Sequence, residues 1–311
     1  MSHTMTTAHH LDQRQKTITA ILLTCFSYGI FVIGDAVLKV LGAKFHFSEI
    51  VIINCSIIIT CMALWTAMRD GKKGFVMLNR KLILFRAALS AAVGVCNILA
   101  LPYIKLTTFY TLVFTSPLWV ALLAMFFLKE KLEPRRLCVI LTGFAAVLFV
   151  FHPGSDQFNV WTLLILTGAF FYSCSLVAMR KLGPRESRAM IIIMGSLVSM
   201  AFSAPFLPFH YVAPTTAEWG LFLIMGTVGA VGVAGIAYAF QNAPAASVVA
   251  PFHYTQMIWG ALLGYFFFKE MPDDRVILGA TCIIAAGLYL IFSETRRKPK
   301  VPEIPESGAV S

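Results

Sequence analysis

The chain has 311 residues, of which 58% are hydrophobic and only 13% charged, and its formal net charge is +10. Mean hydropathy is +0.78, whereas soluble domains carry about 25% charged residues and helices with a polar stripe. These values exclude a water-soluble globular domain and leave one polytopic, all-α membrane domain.

In chain order, residues 1–16 are polar and read as a tail. The first apolar run is too long for a cleaved signal peptide. A membrane span needs about 20 apolar residues. Ten runs approach that length: 17–38, 49–68, 82–101, 106–127, 136–151, 161–179, 189–207, 219–239, 246–267 and 275–293, the fifth being the shortest. The connections are brief, which leaves no room for a soluble domain. The end of the chain, 294–311, is rich in Pro, Glu, Ser and Gly from Pro299 onward and reads as a disordered tail.

Placing the N-terminal tail in the cytoplasm assigns 20 Lys and Arg to the inner side and 5 to the outer. The inner set holds Arg14 and Lys16 and the clusters 69–86, 129–136, 180–188 and 296–300. The outer set is Lys39, Lys44, Lys105, Lys269 and Arg275. This bias predicts a multi-pass protein of the inner (cytoplasmic) membrane with both termini inside. It also accounts for the positive charge without nucleic acid: the basic runs read as solvated surface near the lipid bilayer.

The chain repeats itself at an offset of 140 residues. Between Thr115 and Leu148, 13 of 34 positions carry the same residue 140 positions later. The pairs include Thr115/Thr255, Trp119/Trp259, Phe127/Phe267, Lys129/Lys269, Glu130/Glu270 and Arg135/Arg275. Five spans per half is an odd number, so the second half enters the membrane upside down. The expectation is ten transmembrane helices arranged as two inverted five-helix repeats, 17–152 and 158–293, a plan suited to alternating access.

Other readings fall away. The seven cysteines lie dispersed in apolar runs without a Cys-x-x-Cys pair, which suggests packing rather than disulfides or zinc. No G-x-x-x-x-G-K-[ST] loop is present for nucleotide phosphates. Gly226, Gly229, Gly232 and Gly235, like Gly260 and Gly264, read as faces for close helix approach. An intramembrane enzyme would need paired carboxylates or a nucleophile-base pair, and Asp35 is the only carboxylate well inside a run. No cofactor or metal is expected.

Polar residues inside the runs supply the candidate site. Asp35 faces either the bundle interior or an i,i+4 ion pair with Lys39. Thr115 and Thr255 either back-bond to their own helices or line a lumen. Pro117 and Pro251 each free a backbone carbonyl one turn back and are read as hinges. Tyr254 and Gln256 are hydrogen-bonding candidates, Trp119 and Trp259 stacking candidates, and His253 reads as a packed histidine.

The stretch from Ala245-Ala246-Ser247 through Pro251-Phe252-His253-Tyr254-Thr255-Gln256 to Lys269-Glu270 resembles the second repeat of EamA-type transporters. These belong to the drug/metabolite transporter superfamily. Thr115-Ser116-Pro117-Leu118 to Lys129-Glu130 is similar to their first repeat. The resemblance spans roughly 17–293 and implies two inverted five-helix repeats. Asp35-Ala36-Val37-Leu38-Lys39 is similar to a motif of members that look like S-adenosylmethionine or riboflavin carriers. Many members carry an Arg in the second span, where this chain has Asn54. The resulting expectation is a secondary transporter of a small-molecule metabolite, monomeric or homodimeric, with a proton gradient among its possible drives. An amino-acid or drug exporter, a lipid-carrier flippase and an intramembrane enzyme stand as alternatives.

Overall fold

In the computed structural model, residues 2–100, 103, 112–151, 159–268 and 274–295 are described, and no strand occurs among them. Ten helices carry the fold. They are α1 (Ser2–Leu41), α2 (Phe47–Arg69), α3 (Arg80–Ala100), α4 (Ser116–Phe127), α5 (Pro134–Phe151), α6 (Val160–Leu182), α7 (Arg188–Ser203), α8 (Thr216–Asn242), α9 (Thr255–Phe268) and α10 (Asp274–Thr295). Among the described residues, five helical stretches are long and apolar enough to cross a membrane: Gln15–Leu38, Phe47–Arg69, Val160–Leu182, Arg188–His210 and Thr216–Asn242. Residues 106–111 of the fourth expected span, the Lys269-Glu270 turn and the C-terminal tail from residue 296 onward lie outside the described residues.

The helix ends follow from local chemistry. Thr215 and Glu218 form a reciprocal capping box at the start of α8, Asn159 accepts from Trp161 N and Thr162 N at 3.0 Å each, and Ser187 accepts from Met190 N at 3.2 Å. Each satisfies amide donors that a helix start leaves open. Gly183 closes α6 at φ 70°, a left-handed conformation that costs glycine little.

Three expected boundaries move. The segment 1–16, read as a tail, is helical, and α1 begins at Ser2. That segment contains neither Pro nor Gly, so nothing in it stops the helix extending backward from the apolar run. After Ser203, Pro205 and Pro208 break the seventh span into a 3-10 turn, Ala204–Phe206, and a helical turn, Leu207–His210. The ninth span is not continuous either. It runs as a helical turn, Ala246–Val249, then a 3-10 segment, Ala250–Tyr254, and only then α9.

The packing has the two-fold character of an inverted repeat. With α1–α5 matched to α6–α10, the α1–α8 contact has its counterpart in α3–α6, α2–α8 in α3–α7, and α1–α9 in α4–α6; α2–α7 and α5–α10 map onto themselves. The acids repeat the relation. Glu49, at the start of α2, accepts Val212 N at 3.1 Å from the segment between α7 and α8. Glu186, just before α7, accepts Leu78 N and Asn79 N at 2.8 and 2.9 Å from the segment between α2 and α3. Each repeat thus caps the loop of the other.

The α8 glycines do what close packing requires. A β-carbon on Gly226 would stand 2.5 Å from Ile57 Cγ2, and one on Gly232 would stand 2.7 Å from the Phe31 ring. One on Gly235 would collide with the Ser27 hydroxyl. Gly260 is different: nothing lies within 4 Å of its β-position, so it makes no close approach here. Large apolar side chains such as Phe26, Trp65, Phe126, Leu223 and Phe292 are exposed on the outside of the bundle, where lipid tails would cover them.

Candidate functional site

The two repeats meet around a cluster of aromatic and polar side chains. Tyr28 on α1 and Tyr172 on α6 bring their hydroxyls to 3.2 Å. The Tyr28 ring stacks on His253 with centroids 4.3 Å apart and planes at 15°. Phe114 meets the same imidazole edge-on at 5.5 Å, and Tyr172 approaches it at 5.7 Å. Tyr28, Phe114 and His253 are all buried. Three residues after His253, Gln256 Nε2 donates to Asp35 Oδ2 at 3.1 Å. On the other flank, Arg86 of α3 is buried within electrostatic reach of the Tyr172 phenol. Polar groups therefore gather in order from Arg86 on one flank, through the Tyr172–Tyr28–His253 cluster, to the Gln256–Asp35 pair on the other. Both repeats contribute to them.

The break before α9 makes this arrangement possible. Pro251 has no N–H and stands in the 3-10 segment that interrupts the ninth span, turning His253 toward Tyr28 and Tyr254 the other way. Pro117 stands at the first turn of α4, just after Thr115.

The expected site residues separate into groups. Asp35 and Gln256 are brought together directly. Lys39 lies one turn further along α1, and its side chain is outside the described residues. Thr115 and Thr255 repeat one geometry: each hydroxyl donates to the carbonyl three residues back, Leu112 and Phe252, at 2.6 Å. Thr255 also meets the Cys25 thiol. Trp259 Nε1 donates to Cys25 O at 3.0 Å, its indole lies against Gly29, and the residue is 40% exposed. Trp119, its repeat mate, sits edge-on to Phe170 at 5.4 Å. Each of these tryptophans thus packs on the first helix of the other repeat. Tyr254 is buried, and its hydroxyl donates to Ile140 O of α5 at 3.3 Å. It stands away from the Asp35–Gln256 pair, beside a small apolar cleft of about 130 Å³ between α5 and α10, lined by Val139, Gly143, Ile283 and Gly287 among others.

A second polar network lies at the end of the bundle that carries Arg180, Arg185 and Arg188. Leu128 N and Glu130 N both return to Ala124 O, with Lys129 at φ 53°. This turn aims Glu130 at the other repeat, where its carboxylate accepts Ala246 N at 3.0 Å and pairs with Arg180 Nε at 3.5 Å. Arg180 also donates to Gln241 O and Pro244 O, at 3.3 and 2.7 Å. Gln241 Nε2 reaches Glu186 O at 3.3 Å, and Arg136 reaches Ser247 Oγ at 3.2 Å. Here the reading of all basic runs as solvated surface is corrected. Arg86 and Arg136 are buried and Arg180 is half-buried: Arg180 serves the Gln241 and Pro244 carbonyls before the ninth span, Arg136 the Ser247 hydroxyl and Arg86 the Ile191 carbonyl.

Sequence reasoning missed Arg86, Tyr28 and Tyr172. Arg86 had a signal: it interrupts the apolar run 82–101 but was counted with the flanking charges. The tyrosines had only a faint one, a Tyr in the first helix of each repeat. Among the described residues no group of three His, Cys, Asp or Glu could hold a metal ion. What the cluster offers is binding chemistry: one carboxylate, one guanidinium, two phenols, an imidazole and an amide.

The model of the EamA-like transporter family matches residues 15–152 and again 159–293. The S-adenosylmethionine uptake transporter of Rickettsia bellii is 27% identical over 272 residues, covering 86% of this chain and 91% of that protein. The pseudopaline exporter CntI of Pseudomonas aeruginosa is 26% identical over 282 residues, covering 90% and 97%. A riboflavin transporter of Brucella anthropi is 28% identical over 234 residues, covering 73% and 82%. A solved crystal structure superposes with a TM-score of 0.73 at 16% identity, covering 91% of this chain and 98% of the other, so the fold is shared. The three named relatives are transporters of small molecules rather than enzymes, and with both halves matched by the family model, this chain belongs to the EamA-like transporter family.

Proposed function

We propose that this protein is a secondary transporter of the inner membrane, moving a small organic metabolite by alternating access between its two repeats, 17–152 and 158–293. The observation that carries the reading is the polar cluster at the centre, built jointly by α1, α3, α6 and the broken ninth span. A substrate bound there touches both repeats, so rocking one against the other moves the opening while the site stays in place. Pro117 and Pro251 are the hinge positions. Asp35 takes a cationic group or a proton from the substrate path, with Gln256 orienting it and Lys39 one turn away. Trp119, Trp259, Thr115 and Thr255 wall the route, and Tyr254 braces it against α5. The Glu130–Arg180 network closes the cytoplasmic side, to which both termini belong by the charge bias.

The test is uptake by the full chain in proteoliposomes, with and without a proton gradient. The substrates are labelled S-adenosylmethionine, pseudopaline and riboflavin, the compounds named for its relatives. Transport of at least one above protein-free vesicles is expected, as is its loss or an altered pH dependence in Asp35→Asn with unchanged insertion. Equal transport by parent and Asp35→Asn across pH 5.5–8 would remove Asp35 from the site. An interfacial ion pair would change stability by only about 0.2–0.5 kcal/mol.

A further inference from the structure

The apolar cleft beside Tyr254 opens at the surface of the bundle. Val139 and Ile283 in its wall are buried, while Ile284 and Leu288, which also line it, are half exposed and form its rim. Its inner wall is the 3-10 segment of the broken ninth span, where Phe252 and Tyr254 are buried. Thr255 lines it too, but its hydroxyl is spent on Phe252 O, so the cleft offers water few partners. At about 130 Å³ it approaches the roughly 150 Å³ of apolar cavities that stay dry and take a benzene-sized guest. The same two helices lead from the cleft to a basic end. Arg135 stands four residues before Val139 on α5, and Ser293 seven after the cleft residue Ala286 on α10, spacings that keep each pair on one helix face. At a rise of about 1.5 Å per residue, the two lie roughly 6 and 10 Å beyond the cleft. There Arg135 Nη1 reaches Ser293 Oγ at 3.3 Å, an exposed bond across the helix pair. The charges exposed on the turn 129–136 are all basic, Lys129, Lys131 and Arg135, because Glu130 turns inward onto Arg180 and Glu133 is partly buried.

We propose that this cleft is a lipid site: it takes one acyl chain of an anionic phospholipid whose phosphate sits on Arg135. A guanidinium at the basic end of a helix pair has the charge and the donors that such a headgroup needs, and the cleft supplies the apolar seat one to two helical turns away. A second copy of the chain fits this face less well. Packed about a two-fold axis along the membrane normal, it would bring two Arg135 side chains toward each other, whereas a lipid phosphate neutralises one. The chain in the cleft lies against Phe252 and Tyr254, so it braces the break in the ninth span from the side of α5 and α10, while His253 faces Tyr28. The lipid is thus a resident ligand that steadies the broken span, separate from any transported molecule.

The experiment is thermal melting of the full chain in detergent with added dioleoyl phosphatidylglycerol or dioleoyl phosphatidylcholine, which share their chains and differ in headgroup charge. Phosphatidylglycerol is expected to raise the midpoint by about 3 °C or more beyond phosphatidylcholine, as a ligand that binds only the folded state does. Arg135→Gln is expected to cut that difference below about 1 °C. Leu288→Trp, which fills the rim of the cleft, is expected to abolish the response to both lipids. Lys73→Gln and Arg185→Gln, at exposed basic residues elsewhere, and Leu223→Trp, at an exposed residue of α8, should keep the response of the parent. Each variant is referred to its own lipid-free melt, and Arg135 is exposed, so the headgroup assignment is decided even where Leu288→Trp folds poorly. Equal stabilisation by the two lipids, a difference kept in Arg135→Gln, or one lost equally in Lys73→Gln overturns the proposal. So does a cross-link between two chains whose only cysteine is the exposed Cys282 of α10, if added phosphatidylglycerol leaves its yield unchanged, for that makes the face an interface between copies. The transport reading is untouched by any of these outcomes.

Discussion

At the scale of single residues, the polar side chains divide by whether the fold completes their hydrogen bonding. Thr115, Thr255 and Tyr254 spend their hydroxyl hydrogens on backbone carbonyls, whereas Arg86 Nε, Ser27 Oγ and Asn54 Oδ1 are buried without partners. Groups of the second kind are costly unless a ligand or a second conformation serves them. His46 gives a residue-scale test outside the spans. It caps α2, shares Nδ1 with Ser48 Oγ at 2.9 Å, and stacks on His210 at 3.9 Å. Desolvation first, and the neighbouring His210 second, hold it below the ordinary histidine value of 6.5. The folded state therefore resists protonating this group while the unfolded state does not, so its contribution is complete above about pH 6.5 and declines as pH falls through the depressed value. Thermal melting in detergent should drop between pH 7.5 and 5, and His46→Gln should remove part of that slope. An identical slope in parent and variant would show that other groups set it.

At the scale of elements, the Lys129-Glu130 turn is a clasp between the repeats. Its left-handed Lys129 redirects the chain so that Glu130 caps Ala246 and pairs with Arg180, tying α4 to α6 and to the broken ninth span. The pair is partly shielded, with side chains 14% and 22% exposed, so it should contribute more than a surface ion pair. Glu130→Gln and Arg180→Gln are each expected to lower stability by about 1–3 kcal/mol. The double variant should lose less than the sum, with a coupling of about 0.5–3 kcal/mol. Strict additivity in denaturant melts would dissolve the clasp. The same variants should open the basic end more often, read as faster labelling of a cysteine placed at Ser247.

At the scale of the whole molecule, the inverted repeat sets which contacts exist: each strong helix pair has a partner generated by exchanging the halves, or maps onto itself. The topology has a direct check. In a cysteine-free background, single cysteines at Lys73 and Arg185, both exposed, should stay unlabelled by an impermeant maleimide in intact cells. Cysteines at Tyr211 and Pro214 should label. The reverse pattern would turn the protein over in the membrane and move the Glu130–Arg180 clasp to the outer side.

What the sequence determined by itself was everything that depends on pattern. Continuous apolar runs dictate spans because unpaired backbone cannot stay in lipid. The 140-residue repeat with an odd number of spans dictates inversion, and the α8 glycines announce a close helix contact before any neighbour is known. Asp35 and Gln256 were each legible as buried polar residues, but not as partners, since 221 positions separate them. The tertiary structure alone decided partnership. It showed that Tyr254 turns to α5 while the adjacent His253 turns to Tyr28, because consecutive helical side chains diverge by about 100–120° and only the packing reveals which neighbour each one meets. It also separated Arg86 and Arg136 from the solvated basic runs, because burial depends on which helices pack across a residue, and sequence neighbours do not carry that information.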